Sequence, residues 1–383
     1  MTPQLAAVSL ARKRNPVRWP VKILYVIDST KVGGAETLLL GLLQAARDRG
    51  HEPHLAWFSE GPLGPEMARL AASSTRLGRR GLRDPAALWR AVRLMRRLRP
   101  DVVHTHLLKS DLVGQVAARL CRVPLRIVTL HNTDPWRRQA LPALVYRLAT
   151  GGAHRLVAVS EAVAAHLRQT RSGRADRLTV IPNGIDLARF GAVAALEPAR
   201  DGSLKVFACI GRLHPQKDHA SFLAAAALLA HRKDVAFHII GDGPLRASLE
   251  DRTQALGLVE RVRFTGIEAD VAGVLAGVEG VVLASVWEGL PLVVIEAMAA
   301  ARPVIATAVG EVPQVLRDGI DGRVVPPGAP EALAAAMAEL LDQPDLARAM
   351  GLAGRERARA LYDQSAMHAR LFALYDQPPE RTR

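Results

Sequence analysis

Two carboxylates, Glu288 and Glu296, stand eight positions apart in "SVWEGLPLVVIEAMAAARPVIAT", residues 285–307. Glu288 precedes Gly289, Leu290 and Pro291, and Glu296 sits inside an otherwise apolar run. Upstream, "GRLHPQKD" (211–218) places two cations, Arg212 and Lys217, around a turn opened by Gly211. Arg offers a planar fork of donors and Lys a mobile point charge, a combination suited to a phosphate pair. "LPLVVIEAMAAA" reads as a helix with Pro291 in its first turn, so free N–H groups and a partial positive charge gather at its start. An ionised Glu296 among apolar neighbours is costly unless something hydrogen-bonds it, and a ribose diol would. The chemistry these types favour is scission of a bond to a diphosphate, with cations and helix N–H groups stabilising the departing charge. A glycosidase-like use of the two carboxyls would need both to flank one glycosidic bond. A Glu296 engaged with a ribose diol would not fit that arrangement.

The elements that must position these residues follow from hydrophobic patterning. "VKILYVI" (21–27), "DVVHTH" (101–106), "LRIVTLH" (125–131) and "RLVAVS" (155–160) read as strands in the first half. "LKVFACIG" (204–211), "VAFHIIGDG" (235–243), "RVRFTG" (261–266), "GVVLAS" (280–285) and "PVIAT" (303–307) do so in the second. Helical segments lie between most of them, among them 35–50, which Gly50 ends. Strands alternating with helices predict α/β architecture with parallel sheets covered on both faces. The expected divisions are a basic tail 1–20, a unit 21–190, a unit 204–361 and a final helical segment 362–383. Ligands of open parallel sheets bind outside the carboxyl ends of the strands. The polar, Gly-rich stretches "DSTKVGGAE", "HTH", "HNTD", "GRLHPQKD", "GDGP" and "VWEGLP" all fall there. Two sheets facing each other at those ends would enclose one cleft.

Charge divides the chain. Residues 1–199 hold 31 Lys and Arg against 14 Asp and Glu, a balance of +17, and the remainder hold 20 against 23, a balance of −3. A basic first half calls for an anionic partner. No interleaved aromatic and basic platform marks nucleic acid; an anionic membrane surface fits the charge, with arginines decorating solvated helix faces as the alternative reading. The segment 84–99, with Asp84 and Pro85 at its start, reads as a helix with Leu88, Trp89, Val92 and Met95 on one face and arginines on the others. No apolar run reaches the roughly 18 residues that span a bilayer. The opening residues place an apolar patch before basic ones, the reverse of a signal peptide, and read as a flexible tail. Cys121 and Cys209, far apart in apolar segments, read as thiols of a reducing cytoplasm. His104 and His106 are expected to project to opposite faces of their strand, which would rule out a shared metal; they read as cleft lining.

Glu288 and Glu296, together with "GRLHPQKD", "GDGP", "NGID" (183–186), "VSE" (159–161), "DVVHTH" and "GGAE" (33–36), resemble glycosyltransferase family 4 over nearly the whole chain. The resemblance implies the GT-B fold: two Rossmann-like domains facing across a cleft, with the C-terminal helix crossing back to the first. It implies a retaining transferase using a nucleotide sugar, UDP- or GDP-linked, with no cofactor and no metal. Arg212 and Lys217 match the pair that binds the donor diphosphate, Glu296 the carboxylate on the ribose, and Glu288 the one on the transferred sugar. The backbone at Gly289 and Leu290 matches the segment flanking phosphate and sugar, His131 a cleft histidine on that sugar, and Gly34 the glycine loop that closes on the diphosphate. Arg212, Lys217, Glu288 and His131 are thus the expected catalytic set. His104, His106 and Asp111 are placed on the acceptor side. The expected acceptor is a lipid-linked or surface glycan, and the expected location is cytoplasmic, at the inner face of the cell membrane. A sugar-nucleotide epimerase or a non-catalytic sugar-nucleotide-binding subunit is the alternative on the same cleft.

Overall fold

Short apolar runs stopped by glycine or by a polar turn become strands, and thirteen lie within residues 20–78, 84–195 and 204–376, which the computed structural model describes. The tail up to residue 19, residues 196–203 of the expected junction and the last seven residues of the chain fall outside them. The first sheet contains β1 (Lys22–Ser29), β2 (Glu52–Ser59), β3 (Ser73–Arg76), β4 (Val102–His106), β5 (Leu125–Leu130), β6 (Arg155–Ala158) and β7 (Leu178–Val180). They pair in parallel in the order β3-β2-β1-β4-β5-β6-β7. The second contains β8 (Lys205–Ile210), β9 (Val235–Ile240), β10 (Val262–Gly266), β11 (Gly280–Leu283), β12 (Val304–Thr307) and β13 (Arg323–Val325), in the order β10-β9-β8-β11-β12-β13. Strand order reverses between β1 and β4 in one sheet and between β8 and β11 in the other. At such switch points a crevice opens beyond the strand ends, so Asp28 and Ser29, His106, the 211–218 turn and the 285–289 turn are brought to the crevices by topology alone.

β2, β3, β7 and β13 have no counterpart in the hydrophobic pattern. The 84–99 reading needs correction in its face: the helix Ala86–Leu98 buries Ala87, Ala91, Leu94 and Met95, while Trp89 is exposed beneath the Arg93 guanidinium. Asp84 accepts the Ala86 N–H, as an N-terminal cap does. At the junction, the helix Leu187–Gly191 buries Phe190 against a core shared by both sheets. Cys121 and Cys209 are both free thiols.

The chain returns to its first unit at the end. The helix Pro344–Leu361 packs on the second sheet's side, and at Tyr362 the backbone meets "NGID", where Ile185 N–H donates to Tyr362 O at 2.9 Å and Gln364 N–H to Ile185 O at 3.1 Å. A Cβ on Gly184 would stand 2.5 Å from Gln364 Cα, so only glycine admits this crossing. The helix Gln364–Tyr375 then buries Met367, Leu371, Phe372 and Tyr375 against Ile23, Tyr25 and Leu39. Burying each such side chain is worth about 1.5–3 kcal/mol. Tyr375 Oη lies 2.7 Å from His104 Nδ1. Burial lowers His104 to about 3, so its ring is neutral and needs that partner. Tyr375→Phe is therefore expected to lower stability by about 1–3 kcal/mol, the range for a buried group left unpaired; thermal melting would show it.

Candidate active site

The 211–218 turn leaves β8 with Gly211 at φ 159 and doubles back over itself, so that Lys217 lies against Gly211. Asp218 starts the next helix at φ 43, its carboxylate accepting the Ser221 N–H. This turn is laced to 285–289 by Val286 N–H to Gln216 O at 2.9 Å and Gln216 Nε2 to Trp287 O at 3.0 Å. Lys217 Nζ donates to Glu288 Oε1 at 2.6 Å, and Ser285 Oγ donates to the same oxygen at 2.7 Å. Glu288 is thus buried and fixed through one oxygen. Arg212 is exposed and takes no hydrogen bond or ion pair among the described residues. Its charge reaches Glu36 on the other side of the cleft.

Pro291 leads into the helix Leu292–Ala299, whose first-turn N–H groups are left open by helix geometry. The glycine loop of the first unit sits over this start: a Cβ on Gly34 would lie 3.4 Å from Leu292 Cδ1. Glu296, one turn further along, is half-buried, and its carboxylate makes no hydrogen bond or ion pair among the described residues. Burial pushes its carboxyl up to about 7, against a weaker pull downward from Arg189.

The two units touch through backbone. A Cβ on Gly289 would stand 2.1 Å from His131 O and 2.9 Å from His131 C. Thr133 Oγ1 donates to Glu288 O at 2.8 Å, and Ser160 Oγ to Gly289 O at 3.3 Å. Glu311 Oε2 accepts the Ala162 N–H at 2.7 Å, so a carboxylate from the second unit sits at the N-terminus of the helix Glu161–Thr170 in the first. Leu290 is buried in the core that both units share. The cleft is therefore closed along the edge where Glu288 lies.

His131 follows β5, and its Nε2 lies 3.0 Å from His106 Nδ1. Burial lowers it to about 4, so near neutral pH it is an uncharged hydrogen-bonding group. His106 and His104 do not face opposite sides. Their ring centroids are 4.3 Å apart, because residues two apart on a strand share a face. The acceptor-side expectation also changes for two residues. His104 is fully buried between Tyr375 and Thr129 Oγ1, and Asp111 is fully buried between the hydroxyls of Thr105 and Tyr146. Neither reaches an open surface. His106 Nε2 has no hydrogen-bond partner among the described residues and lies beside a small cavity lined by His131, Thr129 and Asn183. No group of three or more His, Cys, Asp or Glu that could hold a metal occurs among the described residues.

Asp28, Ser29, Thr133, Ser160 and Glu311 belong to the site without having been singled out by their spacing. Asp28 accepts the Lys109 and Ser110 N–H groups at 3.0 and 2.6 Å. Ser29 Oγ donates to Glu36 Oε1 at 2.6 Å. Burial holds both Asp28 and Glu36 above the usual carboxylate range.

Two parallel sheets thus meet at their switch points on a GT-B frame, with a cation pair, a helix start and two carboxylates between them. The model described as "Glycosyltransferase Family 4" matches residues 32–189, and that described as "Glycosyl transferases group 1" matches residues 204–343. The chain belongs to glycosyltransferase family 4. It is 30% identical over 309 residues to a D-inositol 3-phosphate glycosyltransferase of Thermobispora bispora, covering 74% of this chain and 72% of that one. It is 28% identical over 260 residues to UDP-Gal:alpha-D-GlcNAc-diphosphoundecaprenol alpha-1,3-galactosyltransferase of Escherichia coli, covering 64% and 67%. Its fold matches that of HepE from Anabaena in complex with UDP-glucose, at TM-score 0.81 and 22% identity over 92% of this chain and 98% of that one. The protein is a glycosyltransferase, and no helix among its described residues is long and apolar enough to cross a membrane.

Proposed function

We infer that the protein moves a sugar from a UDP-sugar to a lipid-linked or surface-glycan acceptor with retention of configuration. The observation that carries this is the joining of Lys217, Glu288 and the Leu292–Ala299 helix start in one closed edge, with Arg212 free beside it. The donor diphosphate would lie on the helix N–H groups and between the two cations. As the bond from the sugar's anomeric carbon to the diphosphate breaks, negative charge builds on the leaving oxygen, where Arg212 and Lys217 stabilise it. Glu288, fixed through Oε1, offers Oε2 to a sugar hydroxyl. Neutral His131 offers Nδ1 to another, its Nε2 being engaged by His106. No side chain serves as nucleophile. The acceptor hydroxyl attacks from the face the diphosphate leaves, and a departing phosphate oxygen takes its proton. In this reading the chain's own cations meet the diphosphate charge, without a metal ion or cofactor.

Screening UDP-, GDP- and ADP-sugars for thermal stabilisation identifies the donor, since a ligand of the folded state raises the melting temperature. NMR of the product with that donor then reads the anomer. An unchanged configuration is expected; inversion would contradict the proposed mechanism.

Glu296 supplies a pH test. Its folded-state pKa is raised from 4.5 to about 7. Across that window the folded chain holds a proton that the unfolded chain has released, so this group's contribution to stability falls as pH rises. A ribose diol donating to the ionised carboxylate selects the deprotonated form. Affinity for uridine, which has no titrating phosphate, is therefore expected to rise roughly tenfold between pH 6 and 8. Glu296→Gln should flatten that rise. Calorimetric titration with an equal slope in both proteins would remove Glu296 from the ribose.

A further inference from the structure

The helix Ala140–Thr150, "ALPALVYRLAT", is apolar on two sides. Ala143, Tyr146 and Thr150 face the interior. Leu141, Leu144, Val145 and Leu148 expose 70%, 51%, 49% and 66% of their surface. Spaced i, i+3, i+4 and i+7, they form one stripe along the helix. Single exposed apolar residues are ordinary, but a continuous stripe rimmed by charge of one sign marks an interaction surface. Residues 112–160 carry seven arginines against one acidic residue, Asp134. Arg138, Arg147 and Arg171 line a depression of about 530 Å³ between this helix and the end of the helix Glu161–Thr170. All three are exposed, and none of their guanidinium groups takes a hydrogen bond or ion pair among the described residues.

A second copy of the chain fits this surface poorly. A two-fold interface brings the same patch against itself, which here sets arginine against arginine with no acid on the helix to answer. Apolar chains beneath a layer of negative headgroups match both features at once. We propose that this face docks on an anionic phospholipid bilayer, with the Leu141–Leu148 stripe among the upper acyl chains and Arg138, Arg147 and Arg171 on headgroup phosphates. The helix Ala86–Leu98, also rich in arginine, exposes only Trp89 among its large apolar side chains. The docking helix begins nine residues after His131 at the end of β5, so docking sets the cleft's rim close to the bilayer. That proximity suits a lipid-linked acceptor, and this last point alone rests on the function inferred above.

The test is co-sedimentation of the full chain with phosphatidylglycerol-containing and with phosphatidylcholine-only vesicles. Wild type should sediment with the anionic vesicles only, and less in high salt. Leu144→Asp/Leu148→Asp, and separately Arg138→Glu/Arg147→Glu/Arg171→Glu, should each lower the bound fraction by at least about tenfold. UDP-sugar hydrolysis, read in parallel, should stay at the wild-type rate in both variants, which separates failure of docking from failure of the transferase reading. Wild type that ignores anionic vesicles, or variants that bind like wild type, would overturn the proposal. So would light scattering that shows a dimer broken by the leucine variant, since the stripe would then belong to a second copy.

Discussion

Replacing Arg212 with alanine is expected to lower turnover by about 10²-fold or more, the effect of removing one fixed stabiliser of a departing charge. That factor corresponds to about 2.7 kcal/mol of transition-state stabilisation. The size follows from how the two cations are held. Lys217 already spends one donor on Glu288 Oε1. Arg212 is exposed and engages no partner among the described residues. Its whole fork is therefore available to the diphosphate, and no other side chain of the turn replaces it. Because charge on the leaving oxygen grows as the bond breaks, the loss should appear in kcat at saturating donor, with a smaller change in KM. Arg212→Lys keeps the charge without the fork and should recover part of the rate. Turnover within a few-fold of wild type in Arg212→Ala would exclude it from the chemistry.

Gly289→Ala should be nearly as severe by a different route. The added methyl would meet His131 O at 2.1 Å, His131 C at 2.9 Å and Asn132 Cα at 3.1 Å, all backbone of the opposite unit. Backbone cannot swing aside as a side chain can, so the units must separate. That separation loosens the Thr133 and Ser160 bonds to the Glu288 and Gly289 carbonyls and carries His131 away from the sugar site. Misplacing reacting groups by about 1 Å costs on the order of 10²-fold in rate, and that is the expected fall in kcat/KM. Arg212, Lys217 and Glu296 all belong to the second unit, so affinity for UDP should change only a few-fold. A variant with full activity would show that the closed edge is not the working one.

The strands at the two switch points are legible because they are continuous apolar runs ended by glycine or histidine turns, as in "VKILYVI" and "LKVFACIG". β2 is hidden because Glu52, Pro53 and His54 break its apolar run. Only the folded chain shows His54 paired with Ser73 and the strand held between β1 and β3. The spacing of Leu88, Trp89, Val92 and Met95 points to one apolar face, but the helix packs through Ala87 and Ala91, small residues that let it approach its neighbour closely. His104 and His106 share a face because the pleat repeats every two residues, so the expectation of opposite faces does not hold. Glu288, Glu296 and Lys217 could be picked out since local patterning brings each to a strand end or helix start. Glu311 could not, because its partner, the Ala162 N–H, lies 149 residues away in the other unit. Interdomain contacts of this kind leave no trace in periodicity.

Binding of UDP compared with uridine, measured by calorimetry on wild type and on Arg212→Ala/Lys217→Ala, tests most directly whether these cations hold the donor's diphosphate. Wild type should bind UDP far more tightly than uridine, and the double variant should lose that preference by about 10²-fold while uridine affinity holds, as removal of two charge-assisted contacts implies. An undiminished preference for UDP in the double variant would place the diphosphate elsewhere and contradict the account.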